Sequence, residues 1–170
     1  LISFGVETGT DDGLRILNKG ITTEEITRVF QWCRELKITT VADFMIGLPS
    51  ERNPDDVRKN IRFLIRLNPD YAQIGLLSLH PHTELFNQAV AKGLVEPGRC
   101  EKWALNPAPG FYVDHWTEFM TNEELIQLQK EAYRTFYFRP SYIIKSLLSL
   151  RSWHELKSKI QGALTLLIRF

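Results

Sequence analysis

ITTVADFMIGLPSE, residues 38–51, is the stretch that decides the fold. Ile38 to Gly47 is rich in β-branched and apolar residues, the composition of a strand covered on both faces. It runs into Gly-Leu-Pro and then a helix opening at Pro54, with Asn53 as N-cap and proline at the first helical position. Val57, Ile61, Leu64 and Ile65 give that helix an inner face. Upstream, Thr22 and Glu25 form a capping box, and Ile26, Val29, Phe30, Cys33 and Leu36 recur at helical spacing as one buried stripe. Further upstream, Leu1–Val6 reads as an interior strand, followed by a short helix from Thr10 to Asn18 that Gly20 ends. Downstream, Tyr71 to Ser78 is a third strand, and Thr83 to Lys92 a helix ending at Gly93. Strand–helix alternation at these lengths means βαβ units, a parallel sheet and an α/β fold.

Residues 97–120 read as irregular, with Pro97, Gly98, Pro107 and Pro109 among Trp103, Phe111, Tyr112 and Trp116. A loop this aromatic packs over a core or a pocket. Thr121 and Glu124 form another capping box, opening a helix to about Phe138 that Pro140 breaks. Tyr142–Leu150 reads as a short apolar helix, and Ser152 with Glu155 caps a last one.

The chain of 170 residues has a formal net charge of +1, unevenly spread. From Arg134 onward seven Lys or Arg stand against one acid, Glu155, which gives +6 and leaves −5 for residues 1–133. A basic tail can meet nucleic acid, acidic lipid or an acidic domain. Its cations are interspersed with apolar residues, so nucleic acid ranks last. Two distant cysteines, Cys33 and Cys100, match no disulfide framework or zinc spacing, which fits a cytoplasmic setting. Cys33 reads as a small core residue. No apolar run approaches the ~20 residues of a membrane span. The chain opens directly on a strand, at Leu1, and the expectation is a fragment whose N-terminal half is absent.

In parallel α/β folds ligands bind at the carboxyl ends of strands. Those ends are Gly5-Val6-Glu7-Thr8-Gly9-Thr10, Met45-Ile46-Gly47-Leu48-Pro49-Ser50-Glu51 and Ser78-Leu79-His80-Pro81-His82-Thr83. Glu7 is the notable polar group: a carboxylate there can accept two hydrogen bonds from a sugar diol, or serve as a cap or salt-bridge partner.

FGVETGTDDGLRILNKGITTEE (4–25), TVADFMIGLPSE (40–51) and LSLHPHTELF (77–86) resemble, in order and spacing, the fourth-, fifth- and sixth-strand segments of radical S-adenosylmethionine (radical SAM) enzymes. The tail YRTFYFRPSYIIKSLLSLRSWHELKSKIQGALTLL (133–167) resembles the extension of the subgroup with a cobalamin-binding domain. The resemblance implies the C-terminal half of a partial (β/α)6 TIM-like barrel over residues 1–96, an irregular loop over 97–120 and an α-helical extension over 121–170. It implies a [4Fe–4S] cluster on a Cys-x3-Cys-x2-Cys loop, S-adenosylmethionine bound to it, a reductant such as flavodoxin or ferredoxin, and in this subgroup cobalamin. The substrate would be a small or lipid-like molecule undergoing methylation, cyclisation or rearrangement. By position, Glu7 would face the ribose or amino-acid part of the cofactor. Gly47, Leu48 and Pro49 would pack near the adenine, Glu51 would fix that turn or cap the next helix, and Ser78 and Leu79 would complete the pocket. Ser50 and His82 stand where the family usually has Gly, and the cysteine loop is absent. These residues alone are therefore expected to be inactive.

Two other functions remain open: a non-catalytic half-barrel or interaction module, and an aldolase-like barrel lyase. The lyase usually needs a lysine or a metal-binding carboxylate at a strand end; no lysine stands there, and Glu7 is the carboxylate directly at a strand tip, Glu51 coming only after the Gly-Leu-Pro turn. His80 and His82 lack an evident third metal ligand. Tyr112, His115 and Trp116 line a substrate side or simply pack the loop. His154 and Cys100 read as ordinary structural or surface residues. Ile143, Ile144, Leu147, Leu148 and Leu150, beside Arg139, Lys145 and Arg151, either pack on the barrel or an absent domain, or lie on a membrane surface.

Overall fold

A computed structural model describes residues 1–107, 109, 113–148 and 152–169, with the backbone alone at 154, 155, 163 and 165–169. Three strands, β1 (Ile2–Glu7), β2 (Thr40–Ile46) and β3 (Tyr71–Leu76), form one parallel sheet in that order. Helices α1 (Asp11–Ile16) and α2 (Thr23–Glu35) join β1 to β2, and α3 (Pro54–Leu67) joins β2 to β3. Then come α4 (Glu84–Ala91), α5 (Arg99–Leu105), α6 (Asn122–Tyr137), α7 (Pro140–Leu148) and α8 (Trp153–Arg169). Phe111, Tyr112, Leu150 and Arg151, and the side chains of His154 and Glu155, lie outside the described residues.

Side-chain caps fix where the helices begin. Thr10, Thr22, Asn53, Thr83 and Thr121 each accept a hydrogen bond from a first-turn N–H, and the boxes Thr22–Glu25 and Thr121–Glu124 are both closed. Helix ends depart from expectation. α1 stops at Ile16, well before Gly20, because Asn18 takes the left-handed conformation (φ 52°). The N–H groups of Asn18 and Lys19 then close back on the carbonyls of Arg15 and Leu14, both at 3.0 Å. α2 ends the same way at Lys37 (φ 56°), which turns Leu36 outward to 70% exposure and ends the buried stripe at Cys33. The loop expected over 97–120 contains α5, a helix without a buried residue. Pro140 opens α7 as its first residue, since its fixed φ suits a helix start as well as a break.

Alternation along the strands separates two faces. Val6, Ala42, Phe44, Ile46, Ala72 and Ile74 meet α1, α2, α3 and α6 in the main core, to which α6 adds Leu125, Leu128, Ala132 and Phe136. A second core gathers Leu77, Leu79, Phe86, Ala89, Val95 and Trp116. The other sheet face corrects the expectation that β2 is covered on both sides. Asp43 is half-buried there, with Gly5 and Gln73 exposed beside it in register. Ser3, also exposed, donates to Asp43 Oδ2 at 2.7 Å. β1, expected as an interior strand, pairs among the described residues with β2 alone, and Ile2 is 41% exposed.

The outer rim of β3 is sealed by side chains. Tyr137 Oη accepts from Ala72 N–H (3.0 Å) and donates to Ala72 C=O (2.8 Å). Tyr133 Oη accepts from Ile74 N–H (3.0 Å), Gln129 Nε2 donates to Ile74 C=O (2.8 Å), and Tyr142 Oη donates to Asp70 C=O (3.0 Å). Gln129, Tyr133 and Tyr137 stand four residues apart and so lie along one face of α6. They satisfy the peptide groups that a fourth strand would otherwise take.

Tyr137→Phe leaves both polar groups of Ala72 without their partner and is expected to cost about 1–3 kcal/mol, read from urea denaturation. Burial, the largest influence on each, raises the pKa of Tyr137 and of Tyr142 above the ordinary phenol value. The stability they contribute is therefore fully present below the unfolded tyrosine pKa of about 10 and lost as pH rises from there through the raised folded values. Alkaline denaturation should be shallower in the Tyr137→Phe variant than in the parent.

Candidate functional site

Because the sheet is parallel, the carboxyl ends of β1, β2 and β3 lie side by side on one side of the molecule. At the first, the register slips between Gly5 and Glu7, and Glu7 adopts φ 65°. A left-handed glutamate costs about 1–2 kcal/mol, so its surroundings must hold it there. Glu7 Oε1 accepts from Lys19 Nζ at 2.9 Å, and the pair keeps side-chain exposures of 19% and 31%. The carboxylate curls back over Gly5: a Cβ there would lie 2.7 Å from Glu7 Oε1 and 3.2 Å from Lys19 Nζ. Glycine at position 5 is what lets the pair form.

The second strand end is built around a buried acid. Glu51 is 2% exposed. Its Oε2 accepts from the N–H groups of Gly47 (2.6 Å) and Leu48 (2.9 Å), while Oε1 accepts from Asn60 Nδ2. Asn60 Oδ1 in turn accepts from Gly9 N–H at 3.2 Å, which ties the loop after β1 to the loop after β2. Burial raises the pKa of Glu51, and the hydrogen bonds from Asn60, Leu48 and Gly47 pull it back down. Gly47 sits at φ 81°, and a Cβ on Gly9 would strike Phe63 Cβ at 2.5 Å, so both glycines are conformationally or sterically required.

At the third end the aromatic loop returns to the sheet. Ser78 bridges His115 in antiparallel fashion, Leu79 N–H donates to Asp114 C=O (2.8 Å), and His115 Nδ1 contacts Leu77 C=O at 3.0 Å. Arg99 from α5 pairs with Asp114 Oδ1. Asp114 Oδ2 and Trp116 Nε1 are buried without a hydrogen-bond partner among the described residues. Trp116 belongs to the second core, with Lys92 Nζ 6.0 Å from its ring centre.

All seven sequence-derived site residues lie at these ends. The structure leaves Glu7, Pro49 and Ser78 partly exposed and buries Gly47, Leu48, Glu51 and Leu79. The amide N–H groups of Gly47, Leu48 and Leu79 are already taken, so these turns offer a ligand shape and carbonyls more than donors. Sequence reasoning missed Lys19, Asn60 and the Arg99–Asp114 pair. Asn60 carries a readable signal, being the one polar residue between Val57 and Ile61 on the inner face of α3; the other two do not. Among the described residues no three His, Cys, Asp or Glu converge as a metal site, His80 and His82 included.

Glu51→Gln cannot present one acceptor oxygen to two N–H groups and another to Asn60. It is expected to lower stability by about 1–3 kcal/mol, and to free the Gly9 amide for faster hydrogen exchange.

No family model matches the chain. It is 28% identical over 163 residues to an uncharacterized methyltransferase of Pyrococcus horikoshii, a match spanning 96% of this chain and 34% of that protein. The fold matches coproporphyrinogen III oxidase (HemN) of Escherichia coli, a radical SAM enzyme, with a TM-score of 0.52 and 17% identity over 80% of this chain and 26% of that one. The chain thus spans about a third of the one relative's length. It shares an α/β fold with part of a radical SAM enzyme.

Proposed function

We propose that this chain is the C-terminal half of a radical SAM (β/α)6 barrel, that it holds the adenosyl portion of S-adenosylmethionine, and that the parent enzyme transfers a methyl group. One observation carries the reading. Three parallel strand ends lie side by side, the loops after the first two tied together by the Glu51–Asn60–Gly9 chain, with one partly exposed acid, Glu7, at the margin. The exposed sheet face with Ser3, Asp43 and Gln73 is in keeping with a barrel interior, where polar residues face a bound substrate. The name of the Pyrococcus relative favours methylation over cyclisation or rearrangement.

The residues present fit the nucleoside and amino-acid parts of that cofactor. Glu7 offers acceptors to a ribose diol or an ammonium group, and Lys19 beside it can release one oxygen or meet a carboxylate. The 47–49 turn offers an apolar ledge for a base. When bound at a reduced cluster, the cofactor supplies the radical chemistry. This chain does not fit the cluster: Cys33 is buried in α2 and Cys100 lies on α5, so three thiolates are not at hand. The cluster ligands would come from another part of the parent polypeptide.

The full-length polypeptide, reconstituted anaerobically with iron and sulfide and supplied with a reductant such as flavodoxin or dithionite, is expected to cleave S-adenosylmethionine to methionine and 5′-deoxyadenosine. Glu7→Ala should raise the KM for that cofactor roughly tenfold, the worth of one charge-assisted hydrogen bond. A parent lacking a Cys-x3-Cys-x2-Cys segment, or no 5′-deoxyadenosine from a cluster-loaded sample, would leave a non-catalytic half-barrel as the reading.

A further inference from the structure

The helical tail exposes apolar side chains that the rest of the fold holds outward. Ile143, Ile144, Leu147 and Leu148 on α7 are 42%, 57%, 55% and 83% exposed. At 100° per residue these positions share one side of the helix. The opposite side is anchored. Tyr142 donates to Asp70 C=O and packs edge-on against Tyr137, Lys145 pairs with Asp70 at 3.0 Å, and Arg139 stacks 4.1 Å from the Phe136 ring centre. α7 therefore cannot roll to bury its apolar side in the main core, so of the readings open for these residues, packing on the described part of the barrel does not hold. On α8, Trp153, Ile160 and Leu164 are 86%, 50% and 51% exposed and fall on a single stripe. Lys159 Nζ donates to Ser146 C=O at 3.1 Å, fastening α8 to α7.

We propose that α7 and α8 form a docking surface for an anionic lipid bilayer. Charge selects this occupant: residues 134–170 carry +6, whereas residues 1–133 carry −5. An anionic surface attracts the tail and repels the body, so the molecule would settle with α7 and α8 downward. Aliphatic side chains with an exposed tryptophan, and the exposed Lys157 beside the α8 stripe, are what an interfacial helix presents to acyl chains and headgroups. Among the described residues no helix is long and apolar enough to cross a membrane, so the contact is peripheral. The inference stands apart from the cofactor reading.

The test is co-sedimentation of the 170-residue chain with phosphatidylcholine vesicles, with and without phosphatidylglycerol, beside size-exclusion chromatography with light scattering in the absence of lipid. Anionic vesicles are expected to bind at least roughly tenfold more tightly than neutral ones, and high salt to reverse much of the difference. The double variant Ile144→Glu, Leu148→Glu alters only exposed positions and should keep the parent circular dichroism while losing vesicle binding. Equal binding to both vesicle types, or none, overturns the proposal. So does a lipid-free dimer that this double variant converts to monomer, because the occupant would then be a second copy of the chain.

Discussion

A carboxylate taken almost wholly out of water must be met by donors or it destabilises the fold. Glu51 is met by two peptide N–H groups of its own turn and by the amide of Asn60, and the rest of the strand-end surface follows. The turn after β2 is fixed because its amides converge on one oxygen. The turn after β1 is fixed because Asn60, with its amide nitrogen committed to Glu51, has its oxygen left for Gly9. Two loops far apart in sequence thus share one acid. The close seat of Gly9 on Phe63 keeps them packed as well as bonded.

Local chemistry was legible in the sequence wherever a cap or a period settles the outcome. The N-caps at Thr10, Thr22, Asn53 and Thr121, the parallel βαβ order and most of the inner faces of α2 and α3 could be read from residues a few positions apart. Failures came where backbone conformation or distant contacts decide. Asn18 and Lys37 turn left-handed without a glycine to announce it, and that turn is also what brings Lys19 back to Glu7. The strand at 38–47 reads as covered on both faces, yet Asp43 marks a sheet face over which the described residues place no helix. Nothing in the sequence singles out Tyr133 or Tyr137, because only the folded chain brings their hydroxyls to β3.

The fold has two cores with different duties. The main one ties the sheet to α2, α3 and α6, so the helix following the aromatic loop is structural to the sheet itself. The second gathers around α4 and Trp116 and holds the loop over the end of β3. Its return path relies on Arg99 and Asp114, and α5, which buries nothing of its own, serves to present that arginine.

Finally, the two rims of the sheet are chemically unequal. Phenol and amide groups occupy β3 as a molecular stopper, while among the described residues no side chain caps β1 in the same way. Any strand that extends this sheet is thereby directed to the β1 side, so the chemistry of the two rims gives the sheet a direction.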